Sequence, residues 1–288
     1  MIVCVVGGLA LAAAAIAVFC RYRTEVPPAP KLSEKRCTFK TSRIPVSVGG
    51  HELFVLRMKP RGRAGRLPTV VCVHGFGASY RYFRYVVGKW LAQAGFQVVC
   101  FDFYGGRAHS RSGGSLIDLT IPGEVTELNA VLDAVMRLDT TDPERVFLLG
   151  TSQGGLVSAL AAAKRENDLR AMVLYYPAFN IPELLTERFR SADDVPERFT
   201  MFGKTVSKRY TDGMLGFEPY SAAAGYTRPV LILHGDADTI VDVSYGKRAE
   251  KTYRDASCIV LPGEIHGFTA GGRAVAAKEV YRFLTKRL

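Results

Sequence analysis

After residue 37 the chain alternates two kinds of segment, and this alternation restricts its fold more than any other feature. Short, near-continuous apolar runs occur at "TVVCV" (69–73), "FQVVCFDF" (96–103), "RVFLLG" (145–150), "AMVLYY" (171–176), "PVLILHG" (229–235) and "SCIVLPG" (257–263). Most are separated by longer stretches of helical spacing. Runs of this kind suit strands covered on both faces, and helices between them imply a mostly parallel sheet. Helices are predicted at 80–94, ending before Gly95, at 123–138 and 153–165, and near 243–254 and 273–286. Ahead of them, "RIPVSV" and "LFVLRM", separated by "GGHE", read as a hairpin. Residues 178–225 break the rhythm. They hold "FNIPELLTERFR" and "PERFTMFGKTVSKRY", and they are longer than a simple crossover needs. A helical insertion is expected, forming a cap over the functional edge of the sheet. Phe179, Phe199, Phe202 and Tyr210 either line an apolar pocket there or form the cap's own core.

With 288 residues, 48% of them apolar, and no visible repeat, the chain suffices for one large domain or two small ones. Its formal charge of +11 admits nucleic acid or an anionic membrane surface as partners. The basic residues are scattered among acids, however, and no helix face reads as a basic stripe. Zinc-finger spacing and RNA-binding signatures are also lacking, so no nucleic-acid partner is expected. Cysteines stand at 4, 20, 37, 72, 100 and 258, with no C-x-x-C pair. That spacing argues against a zinc or redox site, and a reducing compartment is favoured.

Residues 2–20, "IVCVVGGLALAAAAIAVFC", carry no charge. As a helix they would span about 28 Å, close to the thickness of a bilayer's hydrocarbon core. The expectation is a membrane anchor over 1–23. A cleaved signal peptide is the alternative, since Ala15-Ile16-Ala17 resembles a cleavage site. "RYR" (21–23), Lys31, Lys35 and Arg36 follow, which places the rest of the chain on the cytoplasmic side. "VPPAP" (26–30) then reads as a stiff spacer within a linker over 24–42.

The stretch "LLGTSQGGLV" (148–157) raises a chemical question. Glycine is common here, at 28 residues, so a G-x-S-x-G string alone is weakly specific. Its surroundings add weight. An apolar strand leads into Gly150-Thr151-Ser152-Gln153-Gly154, and a small-residue helix follows. That is the strand–turn–helix on which a nucleophilic serine is exposed. Earlier, "VCVHGFGAS" (71–79) follows a buried strand, where a loop can supply an oxyanion N–H. The expected donors are the amides of Phe76 and Gln153, with His74 ordering the loop. Later, "LILHGDADTIVD" (231–242) offers acids at 236, 238 and 242. Asp236 stands beside Gly235 and can shape the turn. Asp242 precedes a helix start, a common capping position. That leaves Asp238 at the loop apex as the candidate acid. Of five histidines, only His266, in "LPGEIHGF" (261–268), follows a strand after the acid. The chain order is then Ser152, Asp238, His266.

With these four elements in place, residues 43–288 resemble the α/β-hydrolase superfamily. "HGFGAS", "GTSQGG", "HGDADTIV" and "GEIHGF" resemble bacterial cinnamoyl/feruloyl esterases and related serine hydrolases. The resemblance implies an eight-stranded, mostly parallel sheet with helices on both faces, a small cap and no cofactor or metal. It also implies Ser152 as nucleophile, Asp238 as acid, His266 as base, and Phe76 and Gln153 as oxyanion donors. Thr151 departs from it, since many members have histidine there. The expected activity is hydrolysis of a small-molecule or lipid ester. A prolyl-type peptidase, an acyl-lipid or thioester hydrolase and a non-catalytic binder are the alternatives. Oligomeric state is not legible.

Overall fold

The computed structural model describes residues 31–33 and 36–288. The expected anchor (1–23) and the first part of the expected linker lie outside the described residues. No helix among the described residues is long and apolar enough to cross a membrane.

In chain order the strands are β1 (Phe39–Ile44), β2 (Ser47–Val48), β3 (His51–Glu52), β4 (Phe54–Pro60), β5 (Leu67–Val73), β6 (Gln97–Asp102), β7 (Thr141–Thr151), β8 (Ala171–Tyr175), β9 (Arg198–Met201), β10 (Lys204–Ser207), β11 (Val230–Gly235) and β12 (Ala256–Leu261). Eight of them form one sheet in the order β1-β4-β6-β5-β7-β8-β11-β12. The β1–β4 and β4–β6 pairs are antiparallel and the other five are parallel. This is the eight-stranded sheet implied by the resemblance. The central strands β5, β6, β8 and β11 are buried nearly end to end, as expected of strands covered on both faces. One apolar layer packs Phe83, Val87, Trp90, Val280 and Phe283 against the sheet. The opposite layer includes Leu128, Val131, Leu156, Val157 and Leu160.

Several boundaries differ from those predicted. The sheet begins at Phe39, inside the expected linker, because β1 extends its pairing with β4 down to Phe39↔Pro60. The helix predicted at 80–94 is two, Arg81–Tyr85 and Val87–Gln93, broken at Val86 with φ −119° and ψ −106°. The helix predicted from 123 starts at Ile121. Thr120 caps it by accepting from Gly123 N at 3.0 Å, and Pro122 fits the first turn.

The segment 178–225 is not wholly helical. It holds helices Ile181–Arg188 and Pro219–Ala223, and between them the β9–β10 hairpin. Its two turn residues, Phe202 and Gly203, have φ 47° and 73°, the double positive-φ geometry of a tight hairpin turn. The alternation Phe199, Met201 and Val206 inward, with Arg198, Thr200 and Thr205 exposed, has a strand's period of two. Mixed charges within a short segment obscured that period.

Candidate active site

Strands β7, β11 and β12 all run toward one rim of the sheet, and each delivers a polar residue just past its end. Ser152 follows β7 and immediately precedes the helix Gln153–Ala162. Its backbone is in the left-handed region (φ 54°, ψ −124°), which costs a non-glycine residue energy and persists only where surroundings impose it. Here they do. Ser152 N donates to Tyr175 O at 2.9 Å, and Ser152 O accepts from Gly155 N at 2.8 Å and Ala178 N at 3.0 Å.

The glycines of the motif permit this crowding. A Cβ on Gly154 would lie 2.4 Å from the carbonyl oxygens of Val73 and His74. A Cβ on Gly75 would lie 2.9 Å from Ser152 Cβ. The loop after β5 is therefore pressed directly against the serine. Its Phe76 and the helix-opening Gln153 have backbone N–H groups that donate to no protein acceptor among the described residues. They remain available for a charge developing on a bound ligand.

His266 lies in the loop after β12. Its Nε2 accepts from Ser152 Oγ at 3.0 Å, while its Nδ1 donates to Asp238 Oδ2 at 2.8 Å. The imidazole is thus fixed in the Nδ1–H tautomer. Tyr176 flanks it, with ring centroids 4.6 Å apart. Asp238 is buried in the loop after β11. Its Oδ1 accepts from the amides of Ile240 (2.9 Å) and Val241 (3.0 Å). Burial alone would raise its pKa. The adjacent His234 and His266 rings, with hydrogen bonds from His266 and the Val241 amide, outweigh that and hold the carboxyl well below the usual carboxylate range.

The structure therefore brings Ser152, Asp238 and His266 into one hydrogen-bonded chain. The other acids and histidines stand elsewhere. Asp236 accepts from Gly263 N at 2.6 Å and shapes the next loop. Asp242 caps the helix Val243–Thr252 by accepting from Ser244 N at 2.8 Å. His74 is buried, and burial lowers its pKa. Its Nδ1 donates to Gly75 O at 2.9 Å and its Nε2 accepts from Phe103 N at 3.2 Å, so it joins two loops. His109 is exposed, and His51 approaches Glu127 Oε1 at 3.3 Å.

Some contributors are not apparent from the sequence. His234, fully buried at the end of β11, donates from Nε2 to Val241 O at 2.8 Å and lies 3.4 Å from Asp238 Oδ2. It braces the acid's loop. The Gln153 side chain is also fully buried. Its Nε2 donates to Glu124 Oε2 at 2.7 Å, and its Oε1 accepts from Tyr210 OH at 2.7 Å. Burial pushes the Glu124 carboxyl well above its usual range, against the hydrogen bond from Gln153. Tyr210 belongs to the cap, so the insertion is tied by hydrogen bonds to the residue next to Ser152. Phe179 and Phe199 are core of the cap region, with Phe179 stacked on Tyr220 at 4.9 Å. Phe202 at the hairpin tip meets Phe76 edge-on at 5.7 Å.

Comparison with known proteins agrees with this architecture. Over 128 residues the chain is 32% identical to human "Monoacylglycerol lipase ABHD6", which takes in 44% of this chain and 36% of that protein. The rat counterpart is 30% identical over 147 residues, or 50% of this chain and 41% of the relative. The matches thus span less than half the length of those relatives. Among solved structures, Est1E from Butyrivibrio proteoclasticus with ferulic acid bound superposes with a TM-score of 0.75 at 24% identity. The match covers 84% of this chain and 98% of that one. A monoacylglycerol lipase from Paleococcus ferrophilus follows with a TM-score of 0.61 at 19% identity, covering 82% and 100% of the two chains. These likenesses show the α/β-hydrolase fold. Residues 66–213 match the family model described as "Serine aminopeptidase, S33", and the chain belongs to that family of α/β hydrolases.

Proposed function

We propose that this protein hydrolyses carboxylic esters through an acyl-enzyme on Ser152. The observation that carries the reading is the chain Ser152 Oγ–His266 Nε2–Asp238, with links of 3.0 and 2.8 Å. As Ser152 Oγ bonds to the ester carbonyl carbon, its proton passes to His266 Nε2. The carbonyl π electrons move to oxygen, and the amides of Phe76 and Gln153 hold that oxyanion. Asp238 fixes the tautomer and stabilises the imidazolium. When the tetrahedral intermediate collapses, the C–O bond to the alcohol breaks, and the alcohol leaves with the proton from His266. Water, deprotonated by His266, then attacks the acyl carbon and releases the acid, returning the proton to Ser152.

The monoacylglycerol lipases among the relatives favour a second, narrower reading, a lipid ester as substrate. A panel of p-nitrophenyl acetate, longer acyl esters, monoacylglycerols, acyl thioesters and aminoacyl amides tests both readings. Turnover of esters, abolished in Ser152→Ala, is expected. Near wild-type ester turnover by Ser152→Ala would refute the mechanism, and turnover of amides alone would redirect it to peptidase chemistry. From the uncharged stretch 2–20 we further propose that the chain is membrane-anchored, with the catalytic domain cytoplasmic. Resistance to carbonate extraction is expected. A mature N-terminus beyond residue 17 would instead mark a cleaved signal.

A further inference from the structure

The net charge of +11 is not spread evenly. Residues 31–111 hold 15 Lys and Arg against three Asp and Glu, and no acid occurs between Glu52 and Asp102. The fold gathers much of this excess at one end. β4 ends at Pro60, β1 begins at Phe39 and β5 begins at Leu67, all at the edge opposite the Ser152 rim. Lys40 and Lys59 are directly opposed across β1 and β4, an arrangement of like charges that weakens a strand pair. The β4–β5 turn adds Arg61, Arg63 and Arg66, all exposed. Arg61 N donates to Thr38 O at 2.7 Å, which keeps the turn beside the start of β1. Lys31, also exposed, precedes Leu32 and Ser33, which lie alongside Trp90 and Gln93 on the flanking helix. None of these six cations forms a salt bridge among the described residues. The bordering start of β7 and the residues before it bring Asp139, Asp142 and Glu144, of which Asp142 is paired with Arg145. Because the cations come from strand ends and a turn, they make no stripe on any helix.

We propose that this basic base docks on an anionic lipid surface. A clustered cationic face with few acids beside it is costly to the isolated fold, and a negatively charged bilayer offsets that cost at about fivefold in affinity per basic residue. The face also lies where the chain continues toward the uncharged stretch 2–20, which favours a membrane over a nucleic acid as the occupant. β5 runs from this base to the loop that meets Ser152, a distance of about 20 Å for seven residues. A protein docked by its base therefore presents the Ser152 rim to water, away from the headgroups. The docking depends on surface charge and not on ester hydrolysis.

Limited trypsin digestion of the full chain tests this directly, since the exposed 61–66 turn carries three cleavage sites. It is run with phosphatidylcholine vesicles, with vesicles containing about 30 mol % phosphatidylserine, and with RNA. Cleavage after Arg61, Arg63 and Arg66 is expected to slow with anionic vesicles only, and protection should disappear in about 0.5 M salt. Cleavage after Arg190 and Arg198 of the cap should be unaffected. Reversing Arg61, Arg63 and Arg66 to Glu should lower the anionic increment of vesicle binding by at least about 100-fold, with p-nitrophenyl acetate turnover unchanged. The matched reversal of Arg190, Arg198 and Arg209 should leave it intact. Equal cleavage with neutral and anionic vesicles, protection of the cap instead of the turn, or protection by RNA alone would overturn the proposal. Loss of esterase activity in both the parent and Ser152→Ala would bear on the catalytic reading and not on this one.

Discussion

Asp238 is buried, yet two amides and His266 direct hydrogen-bond donors at its carboxylate, so it stays ionised and holds His266 Nδ1–H. Replacing it with Asn keeps the shape but lets the imidazole adopt the wrong tautomer. Asp238→Asn should lower kcat by about 10⁴-fold with little change in KM, as measured on p-nitrophenyl esters. Glu127 illustrates the opposite effect. Burial raises its pKa to about 8, although Tyr104 N donates to it at 2.9 Å. Its folded pKa lies above that of an unfolded glutamate, so the folded state keeps a proton that the unfolded state loses as pH rises past about 4.3. Its contribution to stability is therefore present at low pH and declines until about pH 8. Glu127→Gln does not titrate. The variant's Tm, relative to the parent, should rise by several degrees between about pH 5 and pH 8. A constant difference in scanning fluorimetry would contradict this. At this scale the sequence reveals Ser152, His266 and Asp238 as candidates because each sits beside a strand end in a fixed chain order. It does not reveal Glu124, Tyr176 or His234, whose roles arise from contacts with neighbours elsewhere in the fold. Gln153, for example, meets Glu124 across 29 positions and Tyr210 across 57.

Between elements, the main coupling runs from the cap to the elbow. Tyr210, carried by the insertion, donates to Gln153 Oε1, and Gln153 in turn leans on Glu124 in the helix Ile121–Met136. Tyr210→Phe leaves a buried amide oxygen unpaired, at a cost of about 1–3 kcal/mol. Because the strain falls on the residue whose N–H is proposed to hold the oxyanion, kcat should fall about tenfold or more while KM changes less. A KM effect alone would place Tyr210 in substrate binding instead. Strand and helix also approach too closely at the elbow for any side chain at Gly154. Gly154→Ala must displace the carbonyls of Val73 and His74, and should cost at least about 1–3 kcal/mol in chemical denaturation. The helices and buried strands are legible in the sequence because their periods are long and regular. The β9–β10 hairpin is not, because only Phe199, Met201 and Val206 turn inward, and its two strands are only four residues each. The break at Val86 is invisible for another reason. Apolar residues continue across it, so the helical spacing gives no sign of a stop.

In the molecule as a whole, a mostly parallel sheet has two unlike ends. The ends of β7, β11 and β12 collect the polar residues that form the Ser152–His266–Asp238 chain, and the opposite end collects cations that make no salt bridge among the described residues. The first end can be anticipated from motifs, because loops at the C-terminal ends of parallel strands carry function. The second carries no motif, because its charges come from strand ends and a turn and not from one helix face. Both depend on the sheet order, in which β5 and β7 are neighbours, so the Phe76 loop and the Ser152 elbow meet. The central claim is that this meeting activates one hydroxyl. A fluorophosphonate probe followed by peptide mapping in the mass spectrometer measures that most directly. A single adduct on Ser152 is predicted, absent from Ser152→Ala and formed at least about 10³-fold more slowly in His266→Ala. Labelling at another residue, or labelling of Ser152 at the parent rate without His266, would contradict the claim.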